Sequence, residues 1–494
     1  MSLNTDNIRL VFGLKLKQLR IDKGMSLTEL ANKSGLSMSY INEIEKGKKY
    51  PKSDKIIALA TAMGVDYDTL VSLKLNKKLE PISELLNSNF LTELPFEIFG
   101  IDPADLLELL SEAPTKLSAF ISTIIEIGRS YNMSVEQFYF AVLRSYQEMH
   151  DNYFPEIETA IDDFLRDHNI KPDQQIDEFY LTNLLNDKYG ITIKFFDEEE
   201  FPEIANIRSV MSPKSNVLML NKRITSDQRA FTLGRELGFL YMRLKDRPLT
   251  SSWVEVKSFE EVLNNFKASY FAGGILIRRE KLIDKLTDFF SRDTWDSEAL
   301  IDLAEYFQAT PETLYHRISN VLQTHFGIDK FFFLRFECPS GQKNYQLTKE
   351  MHLAKRHNPH ETQKEHYCRR WVSLNILDEL SDLQATSKYK RPLAHAQISN
   401  YTDSDVQYFV VSMARPLNIL KQINISVTMG FELDDSLRAK LKFLSDPNIP
   451  TRNVNQTCER CSIFDCKERV AQPVILQRKR HIELMKASLK RLGA

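Results

Sequence analysis

The stretch Arg229-Ala-Phe-Thr-Leu-Gly-Arg-Glu-Leu-Gly-Phe-Leu-Tyr-Met242 indicates what kind of core this chain forms. Its apolar side chains return at the spacing of one face of an α-helix, and few charges interrupt them. This pattern predicts a helix that is buried inside a core domain. The apolar positions are Phe231, Leu233, Leu237, Leu240 and Tyr241.

The outline of this helix resembles the metal-binding helix of the zincin metalloproteases. That helix carries two histidines four residues apart, which share one face and bind one zinc, and a glutamate that polarises the metal-bound water. Here the ligand positions hold Arg235 and Phe239, and Glu236 remains. A guanidinium and a phenyl ring offer zinc no lone pair. The sequence therefore predicts a zincin scaffold without its metal site, which favours a ligand sensor over an enzyme.

The segments around this helix are similar to the ImmA/IrrE-type zincin-like domain. Ile191–Phe196 and Val217–Asn221 are predicted strands, and Phe266–Ile277 supplies the second helix of the domain. In active members that helix carries a glutamate ligand where this chain has Lys267, so all three ligand positions differ. The introduced cations suit a phosphate-bearing ligand. The alternative is that Arg235 pairs with a neighbouring glutamate and that Lys267 reaches solvent.

Length and composition predict a multidomain soluble protein. A chain of 494 residues is long enough for roughly three domains. No run approaches the ~20 apolar residues of a membrane span, and the first residues lack a signal peptide's pattern. We therefore expect a cytoplasmic protein with no membrane partner. Three of the five cysteines lie within nine residues, which is unlike a secreted disulfide framework.

Charge is distributed unevenly along the chain. Residues 1–80 hold 14 Lys and Arg against 9 Asp and Glu, whereas residues 81–165 hold 3 against 15. Residues 467–494 are basic again, with 8 against 2. A basic head followed by an acidic segment indicates nucleic acid as the partner of the N-terminus. For the acidic segment, solvated helix faces are the simpler explanation.

The first 75 residues have the pattern of five short helices. Ser26-Leu-Thr-Glu29 is a capping box that opens the second helix, and Gly35 separates it from a third helix that begins near Ser37. The residues resemble the Cro/phage-repressor-type helix-turn-helix family, in Leu27-Thr-Glu-Leu-Ala31, Gly35-Leu-Ser and Tyr40-Ile-Asn-Glu-Ile-Glu45-Lys-Gly47.

The resemblance implies that the third helix enters the major groove of double-stranded DNA. Ile41 and Ile44 are then expected to face the core. The alternative is a helical module that binds another protein. The expected DNA-binding residues are Ser37, Met38, Ser39, Asn42 and Glu43 as exposed readers, with Lys46 and Lys48 placed for phosphates.

The order of these parts resembles the short-chain fatty acyl transcriptional regulators, the family of the propionate and acetate-metabolism regulators. These proteins join a Cro-type head to a degenerate zincin-like domain and a cysteine-bearing C-terminal domain. The resemblance implies that the core domain binds CoA or a short acyl-CoA. We predict ligand-binding residues at Arg208 and Tyr270, where the family's pattern repeats an arginine and a tyrosine, and at Arg229 and Arg235 on the basis of charge.

Cys458, Cys461 and Cys466 follow the spacing C-x2-C-x4-C, which can bring thiolates to one metal centre. Cys368, in Tyr367-Cys-Arg-Arg-Trp371, lies where the family has a cysteine segment and is the candidate for the fourth ligand. In that family the cysteines are linked to an iron–sulfur cluster, which implies a 4Fe-4S cofactor. Zinc is the alternative because soft sulfur ligands suit both. His366 is a rival ligand, and a chance cluster of thiols is the remaining explanation.

We predict a multidomain fold with an all-α helix-turn-helix head at 1–75, an acidic helical linker or dimerisation region at 76–170, an α+β zincin-like ligand-binding core at 171–330 and an α+β C-terminal domain with a cysteine metal site at 331–494. The predicted function is transcription regulation by a homodimer that senses CoA or an acyl-CoA and controls short-chain fatty acid metabolism. A dimer is expected because one head makes too few base contacts for a specific site. One alternative is a phage-type or stress-type regulator or antirepressor. The other is a metalloprotease, which is disfavoured because this chain lacks the histidine ligands.

Overall fold

The computed structural model describes residues 5–72, 135–251, 254–352, 365–402, 404, 406–417 and 422–492. The chain divides into two compact units, residues 1–142 with 257–260, and residues 143–256 with 261–494. Most of the predicted acidic linker lies outside the described residues. In the part of the chain that is described, no helix is long and apolar enough to cross a membrane.

The head is built from short helices whose ends follow local sequence signals. Ser26 accepts a hydrogen bond from the backbone N–H of Glu29 and completes the predicted capping box, and Gly35 ends the second helix at φ +70°. The small core between the helices includes Leu30, Ile41 and Ile44, all fully buried. The helices are α1 (Thr5–Asp22), α2 (Leu27–Ser34), α3 (Met38–Glu45), α4 (Ser53–Met63) and α5 (Tyr67–Val71).

Two contacts fix how α1 and α3 cross. A Cβ on Gly13 would lie 2.3 Å from the carbonyl oxygen of Ile44, so only glycine allows the two backbones to approach this closely. Beside it, the buried guanidinium of Arg20 donates to Glu45 at 2.7 Å. The third helix is thereby held against the first.

The IrrE-like part of the larger unit combines a small mixed sheet with a layer of helices. The sheet order is β1-β3-β2-β4, with β1 parallel to β3 and β2 antiparallel to both β3 and β4. Its elements are α6 (Val135–Met149), α7 (Pro155–Asp167), α8 (Glu178–Tyr189), β1 (Thr192–Phe196), β2 (Ser209–Ser212), β3 (Val217–Asn221), α9 (Ser226–Tyr241), β4 (Thr250–Ser251), α10 (Phe259–Leu276), α11 (Arg279–Phe290), α12 (Ser297–Tyr306) and α13 (Pro311–Phe326). The first residues of α6 and of α10 belong to the smaller unit.

The helix α9 is the buried helix that the sequence predicts. Its residues from Thr232 to Phe239 are all buried. Gly238 allows α10 to pack directly against it, because a Cβ there would lie 3.0 Å from the carbonyl oxygen of Ala268. The region corresponding to the zinc site of a zincin is therefore closed by helix packing and by the side chains described below.

An ion pair joins α7 to α13. The Glu158 carboxylate, with 2% of its surface exposed, accepts from Arg317 at 3.0 Å and from the Tyr270 hydroxyl at 2.7 Å. Residues 155–167 thus pack on the IrrE-like helices, although they belong to the segment predicted as linker.

The C-terminal part forms one sheet with the strand order β10-β7-β8-β9-β5-β6. The side chains of its central strands alternate between two cores: Phe409, Val411 and Met413 face a core shared with α11–α13, whereas Tyr408 and Val410 face a core shared with α14. The elements are β5 (Phe331–Pro339), β6 (Gln346–His352), α14 (Val372–Ala385), β7 (Leu393–Tyr401), β8 (Gln407–Pro416), β9 (Ile423–Glu432), α15 (Asp435–Lys440), β10 (Thr451–Val454) and α16 (Val474–Arg491).

Candidate functional site

The surface of α3 presents the predicted DNA readers. Ser37 caps the helix by accepting from the backbone N–H of Tyr40 at 3.2 Å. Met38 is 54% exposed and Ser39 is exposed, whereas Asn42 and Glu43 are half-buried. The predicted core positions of the same helix, Ile41 and Ile44, are fully buried. One face of α3 is therefore available to a partner while the other holds the head together.

The lysines after α3 form a basic edge beside these readers. Lys48 is exposed and Lys46 is half-buried at the C-terminal cap. Lys49 pairs with Glu43 at 2.8 Å, so the Glu43 carboxylate is already engaged by a cation. Lys55 lies over the Tyr40 ring, with its Nζ 4.4 Å from the ring centroid. A duplex that approaches α3 would meet several cations with side chains long enough to reach phosphates.

The metal-ligand positions of the zincin motif are occupied by an ion cluster. Arg235, 6% exposed, donates to Glu236 at 3.2 Å and to Ser209 at 3.3 Å. The second oxygen of Glu236 accepts from Arg247, whose guanidinium also lies 4.3 Å from the centroid of the Phe239 ring. Burial lowers the pKa of Arg235, while Glu236 opposes this shift. Arg235 therefore pairs with the neighbouring Glu236, as in the alternative described in the sequence analysis.

The structure brings together only part of the predicted ligand pocket. Arg208, half-buried just before β2, is close enough for its charge to act on Arg235. Arg229 instead donates to Glu178 at 2.5 Å. Tyr270 is bound to Glu158 on α7, and burial, above all, raises its pKa. Arg208 and Arg235 are thus neighbours, whereas Arg229 and Tyr270 each have a carboxylate partner of their own.

A second charged cluster, which the sequence analysis missed, lies where α13 meets the C-terminal sheet. Glu312 is 3.3 Å from Arg335 and also pairs with Lys349. Burial favours a raised pKa for Glu312, but Lys349, Arg335 and Arg208 hold it well below its ordinary value. The available signal was Arg335 itself, a cation within the apolar strand Phe331-Phe-Phe-Leu-Arg-Phe336.

The four candidate cysteine ligands line one cavity in the C-terminal part. Cys368, Cys458 and Cys461 are buried and Cys466 is half-buried. The charges of Cys458 and Cys461 act on Cys368, whose pKa is raised to about 11, mainly by burial. Among the described residues, no group of three or more His, Cys, Asp or Glu side chains lies close enough to hold a single metal ion.

Polar contacts fix the loops that carry these cysteines. The imidazole of His366, the rival ligand, is 2.7 Å from Glu459, and the backbone N–H of Cys458 donates to the carbonyl oxygen of His366 at 2.9 Å. Arg469 donates to the carbonyl oxygens of Cys458 at 2.7 Å and Cys461 at 3.1 Å. The segments around residues 368 and 458, far apart in sequence, are therefore held side by side.

The chemistry around this cavity suits an anionic thiolate centre. Arg369 and Arg469 line it, and the buried Nε of each has no hydrogen-bond partner among the described residues. Cysteine sulfurs are soft donors that suit an iron–sulfur cluster or zinc, and cysteines that bind either group are negatively charged thiolates. The nearby arginines would balance that negative charge. These donor types suit the predicted cofactor, whose binding stays a prediction.

Comparison with known proteins identifies the domains. Residues 16–70 match the helix-turn-helix family, and residues 186–319 match the IrrE N-terminal-like domain. The propionyl-CoA carboxylase regulator of Cereibacter sphaeroides is 22% identical over 347 residues, which cover 67% of this chain and 69% of that protein. The HTH-type transcriptional regulator RamB of Mycobacterium tuberculosis is 21% identical over 363 residues, covering 69% and 72%. In these matches and in their order along the sequence, the chain is similar to the short-chain fatty acyl regulators.

The head has relatives of its own. The control protein C.BamHI of Bacillus amyloliquefaciens is 42% identical over 62 residues, which cover 12% of this chain and 76% of that protein. A DNA-binding transcription regulator is therefore confirmed, as are the helix-turn-helix head and the mixed α/β core. The cysteine metal site and the CoA ligand stay predictions.

Proposed function

We propose that this regulator binds CoA or a short-chain acyl-CoA in its IrrE-like domain and thereby controls short-chain fatty acid metabolism in the cytoplasm. The observation that carries the proposal is the replacement of the zinc site by cations. Arg235 and Arg247 share the single carboxylate of Glu236, and the charge of Arg208 also acts on Arg235, so this region has an excess of positive charge. An anionic ligand is attracted by such an excess, whereas a hydrolytic metal would be repelled. The names of the relatives point to propionyl-CoA metabolism as the setting.

Calorimetry tests this proposal directly. CoA, acetyl-CoA and propionyl-CoA should bind to the full-length protein, whereas acetate and propionate should not, because they lack phosphates. Arg208→Met should weaken CoA binding by about tenfold or more, since a charge-assisted hydrogen bond to phosphate is lost. Arg166→Met, which removes an exposed arginine of α7, is the matched control and should have no effect. Equal weak heats for thioesters and free acids would refute the proposal.

We also propose that a homodimer reads DNA through α3. Asn42→Ala should reduce discrimination between the operator and random duplexes, because base-edge contacts carry sequence information. Lys48→Ala should weaken binding to all duplexes alike and reduce the slope of log K against log salt by about one. The stoichiometry should be two chains per duplex. The same loss of affinity for operator and random DNA in the Asn42 variant would contradict the assignment of α3 as reader.

For the cysteine cavity we propose a 4Fe-4S cluster held by Cys368, Cys458, Cys461 and Cys466, with zinc as the competitor. A cluster would supply four thiolate bonds that join two distant segments, and would add redox sensitivity to the regulator. The chain's own residues position the thiols: Arg469 fixes the loop carbonyls and His366 holds the Cys458 loop. Protein purified without oxygen should be brown and contain about four irons per chain. A colourless protein with one zinc per chain would refute the cluster.

A further inference from the structure

Two half-buried cations in the wall of the cysteine cavity have no counter-ion of their own. Arg369, Arg370 and Arg469 all line this cavity. Arg370 donates to Glu468 at 2.6 Å, so its charge is balanced within the wall. Among the described residues, no carboxylate pairs with Arg369 or Arg469, and the Nε of each is buried without a hydrogen-bond partner. Such a cation is unfavourable unless an anion joins it.

Arg469 is held in place by the loop that carries three of the cysteines. Its Nη1 donates to the carbonyl oxygens of Cys458 at 2.7 Å and Ala471 at 3.1 Å. Its Nη2 donates to the carbonyl oxygens of Cys461 at 3.1 Å and Ile463 at 2.7 Å. The loop therefore uses both ends of the guanidinium fork and fixes the direction of the remaining donor, the Nε–H.

Arg369 is held by stacking instead of by hydrogen bonds. Its guanidinium lies over the Tyr345 ring, 4.4 Å from the ring centroid, and the Tyr345 hydroxyl donates to Asp378 at 2.5 Å. The Nη1 of Arg369 is, like its Nε, buried without a hydrogen-bond partner in the part of the chain that is described. Stacking on a ring face holds the planar group and leaves its in-plane N–H donors unused.

The sulfur atoms of the cavity already accept hydrogen bonds that suit thiolates. The backbone N–H of Ile463 donates to the Sγ of Cys461 at 3.4 Å. The backbone N–H groups of Asn455 and Arg370 donate to the sulfur of Cys368. Such donors stabilise an anionic sulfur more than a neutral thiol. The cavity therefore combines sulfurs in a setting that favours negative charge with arginine donors that have no acceptor.

We propose that Arg369 and Arg469 donate hydrogen bonds to the sulfur atoms of the metal centre bound by the four cysteines, and balance its negative charge. The two arginines are positioning residues and not metal ligands. This inference rests on the proposed metal centre and names residues outside the cysteines that hold it. An iron–sulfur cluster would offer its inorganic sulfides as acceptors in addition to the thiolates. Outer-shell partners of this kind typically change metal affinity by about 10–100-fold.

The first experiment compares Arg369→Met with Arg370→Met in full-length protein purified without oxygen. Both changes remove an arginine from the cavity wall, but Arg370 has Glu468 as its partner and is the matched control. In Arg369→Met the reduction potential of the cluster should become more negative, because hydrogen bonds to the sulfurs stabilise the reduced, more negative state. Exchange into D2O should also shift the Fe–S vibrations in resonance Raman spectra less than in the wild type, whereas Arg370→Met should match the wild type.

Melting of the metal-free and loaded forms separates a donor to the metal centre from a merely structural arginine. After treatment with a chelator, Arg369→Met should melt with the wild type or above it, because the change removes a cation that lacks a hydrogen bond and an ion pair. The loaded variant should melt below the loaded wild type, since binding energy at a metal centre is folding energy. A merely structural arginine would lower the melting temperature of both forms.

Zinc gives a readout that does not depend on the cluster. Zinc titrated into the metal-free protein should bind about 10–100-fold more weakly to Arg369→Met than to the wild type or Arg370→Met. If the wild type holds a cluster and Arg369→Met has the same potential and the same deuterium shift, the donor role is refuted while the cluster stands.

Failure of the proposed cluster gives a different result. If the wild type takes up no iron, the cluster is refuted, and equal zinc affinities of the wild type and Arg369→Met would then refute the donor role as well. A wild type that binds neither iron nor zinc refutes both. Should Arg369→Met fail to fold, Arg369→Lys decides, because it keeps the charge without the planar donors and must show a smaller deuterium shift than the wild type.

Discussion

Glu236 is the residue whose role differs most between an enzyme and the protein described above. In a zincin it would be a catalytic group, and its replacement by glutamine would leave the fold intact or more stable. Here its carboxylate is 2% exposed and receives Arg235 on one oxygen and Arg247 on the other. We therefore predict that Glu236→Gln destabilises the protein, whereas Arg235→Met does not.

The size of the effect follows from what each substitution leaves behind. Glu236→Gln places a neutral amide beside two buried guanidinium groups. Breaking a buried ion pair in this way lowers the free energy of unfolding by about 3–5 kcal/mol. Arg235→Met removes a cation whose hydrogen bonds to Glu236, Ser209 and Asn265 are long, at 3.2, 3.3 and 3.5 Å. Because Arg247 still pairs with Glu236 afterwards, we expect a change within about 1 kcal/mol.

Thermal melting of the full-length protein, followed by circular dichroism, measures the difference. Glu236→Gln should lower the midpoint of the larger unit by about 5–10 °C, and Arg235→Met by about 2 °C or less. Glu203→Gln, which removes an exposed carboxylate from the same domain, is the control for net charge and should melt with the wild type. A Glu236→Gln variant that melts with the wild type, or above Arg235→Met, would show that the ion cluster does not stabilise this fold.

Three further predictions concern the head, the helix α7 and the cysteine cavity. Gly13→Ala should unfold the head and abolish duplex binding, because the added Cβ would collide with the carbonyl oxygen of Ile44. The control is Gly24→Ala, at φ +64° with open space around it. This change should lower the free energy of unfolding by about 1 kcal/mol and leave duplex binding intact at room temperature. Burial acts to raise the pKa of Glu158 but the surrounding arginines and tyrosine lower it overall. The Glu158 carboxylate therefore stabilises the fold above the pKa it has in the unfolded chain, about 4.3, and this stabilisation is lost as the pH falls further. In acid, the melting midpoint of Glu158→Gln should depend less on pH than that of the wild type. Cys461→Ser should lower the melting temperature of protein purified without oxygen but not that of protein stripped by a chelator, because binding energy at a metal centre is folding energy; equal melting of the loaded forms would argue against a centre at this cavity.

Local sequence signals were sufficient to predict the ends of helix α2 in the head and the buried helix α9 in the core. The capping box at Ser26 and the glycine turn at Gly35 appear as predicted, because helix ends are set by residues three or four positions apart. The apolar periodicity of residues 229–242 likewise predicted the buried helix α9, which spans Ser226–Tyr241. The resemblances to the helix-turn-helix and IrrE-like domains depended on the same short stretches and are confirmed by the family matches.

Side-chain partners that are distant in sequence were decided only by the tertiary structure. Tyr270, whose place in a ligand pocket stays a prediction, donates to Glu158, 112 residues away, on a helix assigned from sequence to a linker. Arg415 carries no sequence signal of burial, because arginines are mostly exposed, yet only 8% of its surface is exposed here. Its burial depends on which face of β8 packs against the helices, and strand pairing and helix packing between remote segments set that face. The charge of each arginine was thus evident from its residue type, whereas the presence or absence of a counter-ion depended on the packing of the whole unit.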